Sequence, residues 1–421
     1  MKGTLTHILL LLLLPACVLA QPARKAVPEL SFASLSSNRI VFFGGDKSYE
    51  KVWKKMDSVF IYGQGNLRIM HLGGSHVQGG MLTRELRNDL LSARPMTDGG
   101  RGMMFPCTAA KTNTPTSYIS RYTGEWTYDR CTQREPLHRL GLTGMAVSTT
   151  DTAATVTIRT TARKPFPNDP SFRFDKVSVL GYSDGPRVPV VVLSEGDSLF
   201  GTRNEAVAAW EFRLPAMADS VKIAAHGREG ELTLTGIFLE NGRPGISVSE
   251  IGVNGAALPS FAKCLDFERD LAMVAPDLVI LAIGINDAVP KDFDPELFVS
   301  RYRTLVSQIR SVNPDCALLF VSNNDSYRRI RRGRYSVNTN GELARQAFIR
   351  LAQEYNAGFW DVFRIMGGLE SMKDWEEAGL ARTDKIHFTE EGYTILGDLL
   401  YNALMDSYSD HILKRVGHGT E

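Results

Sequence analysis

The segment from Leu67 to Leu82 constrains the fold of this chain more than any other stretch of its sequence. It opens with six mostly apolar residues, Leu67–Leu72, a run that predicts a buried strand. Two glycines then turn the chain, Ser75 follows them, and leucines at helical spacing begin after Met81. A serine between a buried strand and a helix is expected at the carboxyl edge of a parallel sheet, where open α/β folds place their sites.

Three later stretches carry small or polar residues in comparable positions. A turn of small residues contains Gly255, and a continuous apolar strand leads into Asn286. Asp384 and His387 stand three residues apart, just before a predicted helix. Serine, glycine, asparagine and Asp-x-x-His, in this order, resemble the four blocks of the SGNH (GDSL-type) hydrolases, and the resemblance spans residues 67–400.

The resemblance implies a catalytic triad of Ser75, His387 and Asp384. A serine hydroxyl is a weak nucleophile at its free pKa, so it needs a base within hydrogen-bonding reach. His387 is the predicted base, and Asp384 can accept its other ring proton and stabilise the imidazolium. His76 is the competing base, although adjacent side chains rarely face each other as the reaction requires.

Attack on an ester produces an oxyanion, which needs preorganised donors. By the resemblance these are the backbone N–H groups of Ser75 and Gly255 and the side-chain amide of Asn286. Gly252 lies in the same loop as Gly255 and is the alternative donor. Asp287 is expected to fix the loop rather than to take part in the chemistry. Neither a metal ion nor an organic cofactor is implied.

The residue before the serine departs from the family pattern. Many SGNH hydrolases have an aspartate there, whereas this chain has Gly74. The position is not one of the triad, so activity is still expected. The serine loop must, however, be supported in another way.

The N-terminal residues predict export. Lys2 precedes an apolar run from Ile8 to Leu14 that is too short to span a bilayer, as in a secretory signal peptide covering residues 1–20. Leu14-Pro-Ala-Cys17 also resembles a lipobox, so an outer-membrane lipid anchor on Cys17 is the alternative to simple cleavage. We expect a periplasmic or cell-surface protein.

With 43% hydrophobic residues and a formal net charge of +1, the protein should be globular, with no nucleic-acid partner.

The remaining cysteines match no zinc pattern. An exported chain can form disulfides, and Cys107 with Cys131 would close a short loop. Cys264 and Cys316 are interpreted as buried thiols.

Far more residues separate Ser75 from Gly252 than a crossover helix needs. Six β-type segments between residues 154 and 240, separated by turn residues, predict an antiparallel sandwich. The predicted order is therefore a first part of the hydrolase domain at 21–106, an inserted β domain at 107–245 and a second hydrolase part at 246–421. The aromatic residues of the loop-rich stretch before the sandwich either stack on sugar rings or pack at the domain seam; they are Tyr118, Tyr122, Trp126 and Tyr128.

The alternation of strands and helices after Gly284 predicts a mostly parallel sheet covered on both faces. The predicted fold class is therefore α/β: an SGNH-type, flavodoxin-like three-layer parallel sheet with an inserted antiparallel β-sandwich of jelly-roll type.

The insertion, the Ser75-His76 pair and Gly99-Gly-Arg-Gly102 resemble bacterial peptidoglycan O-acetylesterases, whose inserted sandwich is carbohydrate-binding-like. This implies hydrolysis of acetyl esters on a glycan, peptidoglycan or another polysaccharide, through an acetyl-serine. Apart from the resemblance, we expect a monomer. Two alternatives remain at this stage. One is a polysaccharide O-acetyltransferase or a short-chain acyl esterase with the same triad. The other, suggested by Gly74, is a glycan-binding surface protein with a degenerate site.

Overall fold

The computed structural model describes residues 24–165, 169–170, 172–193, 196–331 and 333–418. The predicted signal peptide at 1–20 and the lipobox cysteine Cys17 lie outside these ranges.

A six-stranded sheet, the central sheet, forms the middle layer of the fold. Its strands, in spatial order, are Ile40–Phe42, Gly358–Trp360, Ala317–Val321, Leu278–Ala282, Asn66–Gly73 and Gly245–Gly252. All neighbouring pairs are parallel except the first, in which Ile40–Phe42 runs antiparallel along the edge.

The strand that leads to Ser75 lies inside this sheet, between two partners that end level with it. Gly73 is opposite Gly252 on one side and opposite Ala282 on the other. Because parallel strands share one carboxyl edge, the loops that follow these three strands converge. The register therefore places the loops of Ser75, Gly255 and Asn286 side by side.

Helices cover both faces of the central sheet, and the strand residues alternate between them. Leu67 and Ile69 pack in one apolar core, whereas Met70 and Leu72 pack in another on the opposite face. The α-helices of the described chain are Glu50–Phe60, Ser75–Gln78, Met81–Ser92, Leu258–Phe261, Phe267–Val274, Ile285–Ala288, Pro295–Val312, Asn340–Glu354, Val362–Ile365, Ser371–Glu377 and Glu390–His418. Short 3₁₀ turns occur at Leu35–Ser37 and Lys47–Tyr49.

The insertion folds into two antiparallel sheets. One contains Ile119–Thr123, Thr155–Arg159, Val188–Val192, Ser198–Phe200 and Ser220–His226. The other contains Gly102–Met104, Thr127–Arg130, Met145–Thr149, Phe174–Ser183, Thr202–Asn204, Ala209–Ala218 and Leu232–Glu240. A parallel layered sheet with an inserted β domain confirms the predicted fold class.

The insertion is joined to the central sheet through Gly102–Met104. This strand lies before the predicted boundary at 107, yet it pairs with Leu232–Glu240 of the insertion, and its Met103 N–H donates to Ser249 Oγ at 3.0 Å. A Cβ on Gly102 would lie 2.5 Å from that oxygen, and the residue has a φ of +80°, so glycine suits this position on both counts. The boundaries at 107 and 245 stay a prediction.

Four cysteines are described, and all are buried free thiols. The pairing of Cys107 with Cys131 is therefore not present: the Cys107 sulfur contacts the Tyr118 hydroxyl at 3.3 Å, and Cys131 lies beside Cys264 instead. The interpretation of Cys264 and Cys316 as buried thiols is confirmed.

No helix in the described ranges combines the length and the apolar character needed to span a bilayer.

Candidate active site

Ser75 begins the short helix Ser75–Gln78 directly after the strand Asn66–Gly73. Two glycines let this helix sit on the sheet edge. A Cβ on Gly73 would lie 2.8 Å from the Ala282 carbonyl oxygen, and one on Gly252 would lie 2.3 Å from the Gln78 nitrogen. The serine therefore stands at the carboxyl edge with its backbone N–H in the first turn, where helical N–H groups have no intrahelical acceptor.

The structure brings the three predicted triad residues into one hydrogen-bonded chain. Ser75 Oγ lies 2.7 Å from His387 Nε2, and His387 Nδ1 lies 2.8 Å from Asp384 Oδ2. With a neutral ring, Nδ1–H donates to the carboxylate and Nε2 accepts the serine proton. This is the geometry that a serine nucleophile and its base require.

Asp384 is held as a carboxylate. Partial burial by itself raises its pKa, but hydrogen bonds from the His387 ring and from the backbone N–H groups of His387 and Ile386 lower the pKa well below its usual range. Both backbone bonds measure 2.9 Å and reach Oδ1, which leaves Oδ2 for the ring. The short Asp-x-x-His turn thus orients the imidazole without help from a distant element.

His76, the competing base, is occupied elsewhere. Its Nδ1 lies 2.7 Å from the Tyr393 hydroxyl, and its ring centroid is 5.0 Å from that of His387. Burial, then the neighbouring His387, lowers its pKa to about 3, so the ring is neutral. The His76 ring therefore packs against the His387 ring and makes no hydrogen bond to Ser75.

The loops of the other two predicted oxyanion donors follow the strands on either side of the serine strand. Gly255 has a φ of +76°, in the left-handed region, and its N–H has no acceptor within the described parts of the chain. Asn286 follows the strand Leu278–Ala282, and its Nδ2 donates to the Ala256 carbonyl at 2.9 Å. One amide hydrogen thus fixes the side chain, and the other remains for a ligand.

Gly74 allows the Asn286 side chain to approach the backbone of the serine loop closely. A Cβ at residue 74 would lie 3.3 Å from Asn286 Nδ2 and 3.4 Å from the Ala256 carbonyl oxygen. Glycine therefore lets the amide pack directly against the backbone of the serine loop. Where many family members have an aspartate, this chain therefore has a glycine that is packed closely against Asn286 and Ala256.

Gln78 supplies support that sequence reasoning missed. It is buried, its Oε1 accepts the Asn254 N–H at 2.6 Å, and its Nε2 donates to Thr112 Oγ1 at 2.9 Å. The side chain thus links the serine helix, the Gly255 loop and the start of the insertion. Its position three residues after Ser75, on the same helical face, was the available signal.

Asp287 anchors the neighbouring loop. Its carboxylate oxygens accept the Leu258 N–H at 3.1 and 3.2 Å, and burial raises its pKa to about 6. These contacts agree with the structural role that we predicted for it.

The aromatic residues before the sandwich divide between the two interpretations. Tyr118 and Trp126 are buried in the core that joins the insertion to the central sheet, as expected for packing at the seam. Tyr122 is 40% exposed and is accessible to a sugar.

Comparison with known proteins agrees with this geometry. A family model described as "GDSL-like Lipase/Acylhydrolase family" matches residues 224–395. The match includes the loops of Gly255, Asn286 and His387, and the central sheet brings Ser75 to them from outside it. This chain contains a GDSL-type hydrolase domain.

One solved structure is similar to this chain beyond the residues of the family match. A structure described as "Peptidoglycan O-acetylesterase in action" is 25% identical, covers 88% of this chain and 99% of its own, and superposes with a TM-score of 0.70. An acetyl xylan esterase is 19% identical over 38% of this chain and 80% of its own, with a TM-score of 0.30. A GDSL-like lipase from Bacteroides thetaiotaomicron is 16% identical over 38% and 76%, with a TM-score of 0.29. The comparison with curated proteins gives no significant match.

Proposed function

We propose that this GDSL-type hydrolase is an exported serine esterase that removes O-acetyl groups from peptidoglycan. The observation that carries the proposal is the hydrogen-bonded chain from Ser75 Oγ to Asp384. It lies at the edge of the central sheet from which the loops of Gly255 and Asn286 also start. The similarity over 88% of the chain to a peptidoglycan O-acetylesterase supports the substrate, because it extends across the inserted domain.

The reaction begins with attack by Ser75 Oγ on the acetyl carbonyl carbon. His387 Nε2 accepts the serine proton, and the carbonyl oxygen becomes an oxyanion that receives hydrogen bonds from Ser75 N–H, Gly255 N–H and Asn286 Nδ2. When the C–O bond to the sugar breaks, the imidazolium returns its proton to the departing sugar oxygen. The products of this half are a free sugar hydroxyl and an acetyl-serine.

A water molecule completes the cycle. His387 accepts one of its protons as the oxygen attacks the acetyl-serine, and the same three donors stabilise the second oxyanion. Collapse of this intermediate breaks the bond to Ser75 Oγ, which takes the proton back from His387. Acetate leaves, and the triad returns to its starting state. Asp384 stays ionised throughout and stabilises the imidazolium in both halves.

Export through the predicted signal peptide at 1–20 suits a cell-wall substrate, and a lipid on Cys17 would hold the enzyme at a membrane beside it. The insertion at 107–245 is proposed to recognise the glycan, with Tyr122 accessible on its surface.

The experiment that tests this function is acetate release from O-acetylated peptidoglycan and from acetylated xylan, with Ser75→Ala as the matched control. We expect release from peptidoglycan that is lost in the variant. Release from xylan alone would support the proposed ester hydrolysis and contradict peptidoglycan as the substrate. Release by Ser75→Ala at the wild-type rate would contradict the mechanism.

A further inference from the structure

A strongly basic β-hairpin stands beside the candidate active site. Residues 328–334 contain five arginines, although the whole chain has a formal net charge of only +1. Its two strands are Tyr327–Arg331 and Arg334–Val337, and we call residues 327–331 and 333–337 the basic hairpin. Arg329, Arg331 and Arg334 are exposed, as is Ile330 at 66%.

The two ends of the basic hairpin are tied to the two loops that carry the chemistry. At its start, Tyr327 N–H donates to the Lys385 carbonyl at 3.0 Å, within the Asp384–His387 turn. At its end, Asn338 Nδ2 donates to the Ala288 carbonyl at 3.3 Å, in the short helix that contains Asn286. The hairpin therefore rises from the carboxyl edge of the sheet between the base and an oxyanion donor.

The four described arginines of this hairpin have no acidic partner among the described residues. None of Arg328, Arg329, Arg331 and Arg334 makes an ion pair with another described residue, whereas the nearby Lys385 pairs with Glu376. Unpaired guanidinium groups beside an active site create a positive potential that attracts anionic ligands. Guanidinium groups also match carboxylates geometrically, because both are planar and can form two parallel hydrogen bonds.

We propose that the basic hairpin binds carboxylate groups of the polymeric substrate, so that esters on an anionic glycan are selected over esters on a neutral one. The inference rests on the proposed glycan esterase function. Peptidoglycan fits, since its stem peptides carry free carboxylates near the sugar hydroxyls, whereas a xylo-oligosaccharide without uronic acid carries none. The hairpin's place between the two loops favours a polymer held in the site over a separate membrane surface.

The test uses a triple variant, Arg329→Gln, Arg331→Gln and Arg334→Gln, in the full chain. The matched control removes three lysines instead, through Lys47→Gln, Lys51→Gln and Lys54→Gln. Lys51 contacts Asp315, just before the strand Ala317–Val321 begins, which is at the opposite edge of the sheet. The other two lysines lie within four residues of Lys51 in the sequence. A second arginine-to-lysine triple variant keeps the charge and is expected to restore most of the function.

For O-acetylated peptidoglycan, we expect the glutamine variant to lose roughly tenfold in kcat/KM, as the sum of three partly screened charge contacts. Its kcat/KM for 4-nitrophenyl acetate and for a neutral acetylated xylo-oligosaccharide should stay within about twofold, which also shows that it is folded. Rising salt should lower the wild-type value for peptidoglycan and leave the variant nearly unchanged. An equal loss on neutral and anionic substrates, or an equal loss in the lysine control, would overturn the proposal.

Binding to peptidoglycan stripped of its acetyl groups by mild base separates this inference from the proposed function. The stripped polymer keeps its carboxylates but offers no ester, so the hairpin can be tested even if acetate release fails. We expect wild type to co-sediment with it and the glutamine variant to remain in solution. A variant that keeps this binding but loses adsorption to phosphatidylglycerol vesicles would contradict the proposal and assign the hairpin to membranes.

Discussion

Replacing Asn286 by alanine is the sharpest perturbation of the proposed oxyanion hole. Its Nδ2 holds the Ala256 carbonyl at 2.9 Å and lies 3.3 Å from where a Cβ on Gly74 would be, so the amide sits against the serine loop. Truncation removes one of the three proposed donors to the oxyanion. It leaves the hydrogen-bonded chain of Ser75, His387 and Asp384 in place.

The expected magnitude follows from the role of a single preorganised donor. Removing one such group costs about 10²–10³ in kcat, or roughly 3–4 kcal/mol of transition-state stabilisation. Asn286 is partly buried, and its second hydrogen is free, which favours the full effect. KM should change little, because the ground-state carbonyl carries much less charge than the oxyanion.

The assay is steady-state and rapid-mixing hydrolysis of 4-nitrophenyl acetate. Both acylation and deacylation pass through an oxyanion, so both rates should fall in Asn286→Ala. The matched control is Asp287→Asn, next in sequence, whose side-chain oxygen can still accept the Leu258 N–H. We expect this control to stay within about fivefold of wild type. A loss below tenfold in Asn286→Ala, or a change confined to KM, would refute the assignment of Asn286.

Three further predictions concern the triad and two buried charge clusters. Asp384→Asn should lower kcat roughly 10³–10⁴-fold, because the imidazole loses its oriented tautomer, while circular dichroism stays unchanged. Arg101→Met should lower the free energy of unfolding in urea by about 1–3 kcal/mol, since the buried Glu250 loses one guanidinium partner and keeps Arg87 at 3.4 Å. Asp398 lies beside Asp89, and burial, with that neighbour, raises its pKa from 3.8 to about 7. The folded protein then holds a proton that the unfolded chain releases, so stability should fall as pH rises between these values. Asp398→Asn should reduce this fall and add about 1–2 kcal/mol at pH 8, after allowance for solvent screening, while the raised pKa values of Asp89 and Glu85 keep part of the fall. A pH dependence unchanged in the variant would contradict the assignment.

The elements around the site were predictable because local sequence signals agree with their tertiary roles. The apolar run at Leu67–Leu72 became the strand Asn66–Gly73, and the helix predicted from Met81 became Met81–Ser92. Thr389 directly precedes the final helix, Glu390–His418, and its Oγ1 accepts the Gly392 N–H at 3.3 Å, which is the role of a capping residue. Asp384 and His387 meet within one turn, so their contact depends on no distant segment.

Other features of the structure depend on contacts between residues that are far apart in the sequence, and the local sequence pattern does not indicate them. Arg101 lies in a glycine-rich stretch, and nothing in that stretch indicates that its guanidinium is buried against Glu250 and Ser117. The basic hairpin was missed because its arginines interrupt the apolar alternation that marks a buried strand. The supposed pairing of Cys107 and Cys131 failed for a similar reason, since closeness in sequence does not fix which thiols the sheets bring together.

The most direct test of the account is to identify the acylated residue during turnover. Wild-type enzyme is mixed with 4-nitrophenyl acetate, quenched in acid within the burst, digested and mapped by mass spectrometry. The account predicts one acetyl group on the peptide that contains Ser75, and none in Ser75→Ala. Acetyl on another residue such as His76, or a full nitrophenol burst from Ser75→Ala, would contradict it.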